Sequence, residues 1–253
     1  MSWATATPLL VAFLFACAHP RAQAHEPRRH EHRDAAHSHD AAHSHDAAST
    51  QPEELPPTPP TADHRFTNAE RWSKIFDDPA RDAWQKPREL VSELGLTARA
   101  VVVDLGAGTG YFEPYLSRAV SEGRVIAVDL EPDMVSFIER RARREGLANV
   151  EARLAAPDDP RVDAPVDVVL VVDTYHHIGD RIRYFARLRE KLAPRGRIVV
   201  VDFRMGKRPV GPPESHKLPP AQVEREMILA GFGVCRRWDG LPHQYVLFFG
   251  VAC

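Results

Sequence analysis

Val101-Val102-Val103-Asp104-Leu105-Gly106-Ala107-Gly108-Thr109-Gly110-Tyr111 is the stretch on which the fold turns. A run of β-branched residues enters a turn with three glycines, and helix-forming sequence follows. A buried strand running into a tight turn and then a helix is the expected local structure. Glycines let backbone approach a ligand closely, and a helix N-terminus offers amides without intrahelical partners. A dinucleotide fingerprint needs its glycines as G-x-G-x-x-G. Here the third glycine falls one residue early, and Tyr111 stands where that pattern needs Gly. Asp104 lies two residues before the first glycine, where a carboxylate repels a pyrophosphate but welcomes an amino or sulfonium cation. A nicotinamide oxidoreductase is therefore disfavoured.

Working outward, Val125-Ile126-Ala127-Val128-Asp129 ends in an acid 19 residues after Gly110. An acid closing the second strand of such a unit can accept hydrogen bonds from both ribose hydroxyls. Further short strands are expected at Val150–Leu154, Val166–Val172 and Arg197–Phe203, after a first at Ala100–Leu105 and a second at Arg124–Asp129. Helices are expected at Tyr111–Val120, Pro132–Glu145 and Arg181–Leu192, each with one charged and one apolar side. Val168 to Val172 is apolar without a break, as a parallel strand covered on both faces requires. The alternation predicts an α/β, doubly wound, mostly parallel sheet. A helix over Pro220–Ala230 then precedes two runs, Phe232–Trp238 and Gln244–Val251, joined by a turn at Asp239-Gly240-Leu241-Pro242. One strand of that hairpin should run antiparallel to the rest. Two more helices are expected ahead of the sheet, over Asn68–Phe76 and from Pro87 to Leu94.

The glycine turn with its two acids resembles the class I S-adenosylmethionine-dependent methyltransferases, over about Phe66 to Phe249. Asp104 to Gly110 (DLGAGTG) and Val128-Asp129-Leu130 look like that family's two main cofactor motifs. The resemblance implies a seven-stranded sheet whose last strand is antiparallel, and S-adenosylmethionine as cofactor. It places the methionine part of the cofactor on Asp104, Gly106, Ala107, Gly108 and Gly110, the ribose on Asp129 beside Leu130, and adds Asp173 after the fourth strand. Adenine is commonly read by an acid after the third strand. Ala156 and Pro157 occupy those positions here, so Asp158 either takes that role or stands on a solvated loop with Asp159. Within the family the chain looks closest to enzymes of quinone and arsenite methylation. Arsenite is disfavoured because that chemistry leans on pocket cysteines.

Asp173-Thr174-Tyr175-His176-His177 follows the fourth strand, at the end of the sheet where doubly wound folds hold ligands. His176 or His177 could take a proton from an acceptor, histidine being the usual base near neutral pH. Equally, the pair could only shape the pocket wall, because methyl transfer needs mainly in-line positioning. Trp72 and Trp84 precede the first strand. They either shield a sulfonium with a π-face or anchor a packing helix. The connection from Arg204 to Leu218, with Lys207, Arg208, His216 and Lys217, is a basic lid for an anionic substrate or an ordinary solvated loop.

The remaining sequence sets the context. Lys+Arg 33 against Asp+Glu 35 gives a formal charge of −2, so no general nucleic-acid binder is indicated. Pro8 to Ala18 is an apolar run of 11 residues, too short for a membrane span and suited to a signal-peptide core. Ala22-Gln23-Ala24 offers a cleavage site that would leave His25 first, making residues 1–24 a signal peptide. Leu14-Phe15-Ala16-Cys17 resembles a lipobox, with a lipid anchor on Cys17 and a signal ending at residue 16. Either route places the protein in the periplasm or on a membrane surface, whereas an unprocessed N-terminus would keep it in the cytoplasm. Residues 25–63 repeat AAHSHD, hold most of the chain's 13 histidines and then cluster prolines. They are expected to be a disordered linker, with metal sequestration as the alternative role and no ordered metal site. The folded domain should occupy 64–253. Cys17, Cys235 and Cys253 are too few and too scattered for a disulfide framework. A small-molecule methyl acceptor is the expected partner. The rival reading is an exported cofactor- or metal-binding protein on the same fold without turnover.

Overall fold

The computed structural model describes residues 58–60, 65–163 and 165–253. The apolar N-terminal run, both processing sites and the histidine repeats lie outside the described residues.

Five parallel strands follow the order of the sequence pattern: β1 (Val101–Leu105), β2 (Arg124–Asp129), β3 (Val150–Leu154), β4 (Val166–Val172) and β5 (Leu192–Phe203). β6 (Gly233–Trp238) and β7 (Gln244–Gly250) complete a seven-stranded sheet of order β3-β2-β1-β4-β5-β7-β6. β7 is antiparallel to both neighbours, as expected. The order reverses between β1 and β4, which pair through Val103 and Val169, so a crevice opens at their carboxyl ends.

Helices cover both faces. Before β1 come α1 (Ala69–Phe76), a 3-10 turn (Pro79–Arg81), α2 (Asp82–Gln85) and α3 (Pro87–Glu93). Between and after the strands come α4 (Glu113–Ala119), α5 (Pro132–Glu145), α6 (Arg181–Arg189) and α7 (Pro220–Leu229). Alternation along β4 divides the core. Val169 and Val171 pack with Phe185, Leu188, Val223 and Met227 of α6 and α7. Val168, Leu170 and Val172 pack with Leu90, Leu94 and Leu116 on the other face. A smaller apolar cluster joins Phe66, Trp72 and Phe76 to Met134 and Phe137 of α5.

Three boundaries differ from the sequence expectation by two residues or more. α4 begins at Glu113 rather than Tyr111, because Gly110 at φ 79° prolongs the turn and Pro114 suits only a first helical turn. α6 stops at Arg189, and β5 starts at Leu192 instead of Arg197. There Leu192 pairs with Val166, and the close approach of Gly196 to the Val166 carbonyl carries the strand across a register irregularity. The short helices at 79–85 were not foreseen. They are stabilised by Asp78, whose carboxylate accepts from the Ala80 amide, and by Arg81, which donates to the Phe76 carbonyl and stacks on the Tyr111 ring.

The cysteine expectation needs a correction. Cys235 and Cys253 form a disulfide with Cα atoms 5.1 Å apart. Pairing of β6 with β7 sets Gly233 opposite Gly250, which carries Cys235 to the segment after β7. A separation of 18 residues is uninformative until that register is known.

Candidate active site

The glycine turn is clamped to β2 before any ligand is considered. Gly106 and Ala107 donate their amides to the Val128 carbonyl at 2.8 and 3.0 Å, and the Gly110 amide donates to the Ala107 carbonyl. Gly106 has φ 77°, and a Cβ on it would collide with the side chain of Thr174. The turn thus packs edge-on against the segment after β4, with no room for another residue type.

Asp129 closes β2 and faces this turn. Its Oδ2 accepts from the Gly108 amide at 2.8 Å and its Oδ1 from the Glu131 amide at 2.9 Å. Those two bonds fix the carboxylate's direction and leave each oxygen a lone pair. Burial nonetheless pushes the group up to about 6, against the help of the Glu131 and Gly108 amides. Further donors, such as two ribose hydroxyls, would stabilise its charged form. Leu130 beside it is 51% exposed, an apolar surface open to a ligand ring. Asp158 lies on an exposed turn after β3, its Oδ2 3.5 Å from Arg187 Nη1 of α6.

Behind the turn, Asp104 at the end of β1 and Glu113 at the start of α4 are buried together. Both Glu113 oxygens lack a hydrogen-bond donor among the described residues. Burial pushes Asp104 up to about 7, and burial with the neighbouring Asp104 drives Glu113 well above the carboxylate range.

The carboxyl ends of β4 and β5 supply a second polar group. Asp173 sits at φ 52°, and its Oδ1 accepts from Gln244 Nε2 at 2.6 Å. Gln85 Nε2 in turn donates to Gln244 Oε1 at 2.7 Å. Burial, with the Asp202 charge nearby, pushes Asp173 up to about 7. His176 Nδ1 is 2.9 Å from Asp202 Oδ2, and both side chains are buried. Burial disfavours the His176 cation, but the Asp202 carboxylate outweighs it and the histidine is shifted up. His177 is half-buried, with its ring edge-on to Phe66 at 5.4 Å.

Residues ahead of β1 cover this end of the sheet. Arg65 forms two bonds to the Glu131 carboxylate at 2.8 and 2.9 Å. Trp72 stacks on Phe76 at 5.3 Å, and Trp84 lies 5.8 Å from Phe203 at the end of β5. Both tryptophans pack against aromatic neighbours at this end of the sheet. Arg81 stacks 4.1 Å above the Tyr111 ring and donates to the Phe76 carbonyl and to Gln85. Its Nη2 lies 4.0 Å from Asp173. Burial lowers its pKa, against the attraction of Asp173 and its acidic neighbours.

Every residue expected around the glycine turn is therefore brought to one end of the sheet, and Asp158 stands apart on its turn. Arg81, Glu113, Asp202 and Gln244 complete the polar groups there without having been singled out, and Gln85 joins them from beside Trp84. Asp202 carried the signal used for Asp104 and Asp129, an acid at the end of a β-rich run. Glu113 carried none, because an acid in a first helical turn is ordinary. The basic connection after β5 is spent on its own structure. The buried Lys217 donates to the Gly206 carbonyl at 2.7 Å, and Arg204 pairs with Asp239 at 2.6 Å. Among the described residues no group of three metal-ligating side chains exists.

Comparison with known proteins agrees with this geometry. Residues 102–196 match a family described as a methyltransferase domain. The demethylmenaquinone methyltransferase of Tropheryma whipplei is 31% identical over 119 residues, which cover 47% of this chain and 48% of that protein. The ubiquinone/menaquinone biosynthesis C-methyltransferase of a Marinomonas species is 30% identical over 125 residues, 46% of this chain and 47% of its own length. The chain thus spans about half the length of these curated relatives. A SAM dependent methyltransferase from Aquifex aeolicus superposes with a TM-score of 0.68 at 25% identity, covering 73% of this chain and 99% of that one. Residues 102–196 are thus similar to a methyltransferase domain, and S-adenosylmethionine is the cofactor to which this likeness points. The glycine cradle, the directed Asp129 carboxylate and the buried acids Asp104 and Glu113 behind the turn fit such a cationic nucleoside.

Proposed function

We propose that this protein transfers a methyl group from S-adenosylmethionine to a small organic acceptor. The observation that carries the reading is the Asp129 carboxylate, aimed by the Gly108 and Glu131 amides at the mouth of the glycine turn. When bound, the cofactor supplies an electrophilic methyl group on a sulfonium. The chain's residues do the rest. Gly106 to Gly110 and Asp129 position the cofactor, with Leu130 against its base and Asp173 facing its amino acid end. His176, oriented by Asp202, accepts the proton that an O–H, N–H or C–H acceptor loses. His177 and Phe66 form the wall beside it. A small acceptor fits best, because the segment from Arg65 to Gln85 covers the carboxyl ends of the strands. The methyl acceptors printed in the names of the quinone-methylating relatives favour the same class.

Asp129→Ala tests the assignment directly. Loss of two hydrogen bonds to a charged acceptor should weaken S-adenosylhomocysteine binding by about 1.5–3 kcal/mol for each bond. Calorimetry on the full chain reads it, and unchanged affinity would place the ribose elsewhere.

We also propose that the protein is exported. Pro8 to Ala18 followed by Ala22-Gln23-Ala24 supports this, and so does the Cys235–Cys253 disulfide, a bond that persists in oxidising compartments. A terminus at His25, or a lipidated Cys17, is expected by mass spectrometry of protein from its native host. An intact N-terminus in a soluble cytosolic fraction would refute it.

A further inference from the structure

Asp104, which the resemblance sets beside the methionine part of the cofactor, is buried together with Glu113, a residue that the reaction as described leaves unused. They sit on the inner side of the glycine turn, 2% and 1% exposed, at the end of β1 and the start of α4. Glu113 Oε2 would lie 3.1 Å from a Cβ on Gly110, so the carboxyl group backs directly onto the turn. Two buried acids in contact cannot both ionise cheaply, because each charge is desolvated and repels the other. A proton held by one of them answers both costs, since a protonated Glu113 donates to Asp104. Glu113 also faces Arg141 of α5, whose Nη1 is held by Asp77 and by the Thr109 carbonyl. The Arg81 charge favours the Asp104 carboxylate and the Asp129 charge opposes it. Neither arginine donates a hydrogen bond to either acid, and Arg81 is committed to Gln85 and the Phe76 carbonyl.

We infer that Asp104 and Glu113 are a charge-selective floor of the cofactor site. The pair gives up a proton to solvent when the sulfonium form binds. It takes a proton back once methyl transfer leaves a neutral thioether, so the site favours the methyl donor over the demethylated product. This inference rests on the cofactor assignment above. The balance is simple: the sulfonium arrives with one positive charge, and one proton leaves the acids. After transfer that positive charge is gone, and one proton returns from solvent. S-adenosylmethionine and S-adenosylhomocysteine share their amino, carboxyl and adenosine groups, so their difference isolates the sulfonium. That Asp104 ionises near 7 puts the exchange in an accessible range.

The test is calorimetry of the full chain with each ligand, between pH 6 and 8, in phosphate and in Tris. The buffer dependence of the heat counts protons. S-adenosylmethionine is expected to release up to about one proton more than S-adenosylhomocysteine, and its relative affinity to rise with pH by up to about tenfold. Asp104→Asn should abolish the difference. Glu113→Gln, which keeps a neutral donor beside Asp104, should retain it. Equal proton counts for two well-bound ligands in the native protein would overturn the inference and leave the cofactor assignment standing. So would an Asp104→Asn variant that keeps the native difference. Binding of neither ligand would remove the assignment itself, and the inference with it.

Discussion

Two buried polar groups in this domain differ in what they have been given. At the junction of α6 and α7, Arg181 Nε and Nη2 donate to the two Glu226 oxygens at 2.7 and 2.9 Å. Tyr175 and Gln222 donate to the same carboxylate, and Arg181 also reaches the Pro59 and Ile178 carbonyls. Every donor of this group has an acceptor of opposite or neutral character. Behind the glycine turn the reverse holds, since two acids are buried together and the Glu113 oxygens have no donor among the described residues. Burial is the same in both places, so burial alone does not distinguish structure from function. What separates them is satisfaction: a closed network holds the fold, and an open one is finished by a ligand.

Breaking the closed network should give the largest effect. Arg181→Met leaves Glu226 buried without its partner and should lower the free energy of unfolding by about 3–5 kcal/mol, read by urea denaturation. Joining it with Glu226→Leu should recover part of that loss, because the uncompensated charge is then gone. The open pair should respond with the opposite sign. Asp104 has a folded-state pKa raised to about 7 by burial, so its contribution to stability is present at low pH and lost as pH rises through 7. The ligand-free protein should lose on the order of 2–4 kcal/mol between pH 4 and 8 from this group. Asp104→Asn removes that cost, so its stability relative to the native protein should rise over the same range. A variant that destabilises equally at pH 5 and 8 would make Asp104 an ordinary structural acid.

The closed and open groups also differ in how far the sequence announced them. The sheet was legible because β1, β2 and β4 are short valine-rich runs, the first two bordered by a glycine, and both features act over a few residues. The turn and Asp129 were legible for the same reason. Arg181 and Glu226 are 45 positions apart and read as ordinary helix-surface charges until α6 and α7 pack together. Asp202 was one step from recognition, since its strand was expected and only its partner His176 was not known to be near. Arg81 lay in a stretch without hydrophobic period, where tertiary contacts and not local propensity make the helices. The disulfide was hidden by its dependence on strand register. Local chemistry is written locally, and pairing across the sheet is not.

The smallest effect expected is at Asp158, and it sharpens the contrast at the exposed end of the scale. Its side chain is 79% exposed and meets Arg187, itself 56% exposed, at 3.5 Å. Exposed pairs of that kind are screened and contribute less than about 0.5 kcal/mol to stability, so Asp158→Ala should leave the unfolding curve almost unmoved. The carboxylate nevertheless stands on the turn after β3, on the side of the sheet where β2 presents Asp129 and Leu130. If it receives the adenine amino group, the same variant should bind S-adenosylhomocysteine about fivefold more weakly, on the order of 1 kcal/mol for one exposed hydrogen bond. Arg187→Ala is the control, because it frees the carboxylate without removing it and should leave affinity the same or slightly higher. Equal losses in the two variants would show that the ion pair, not the acid, shapes the loop. No loss in either would return Asp158 to solvent and leave the base to Leu130.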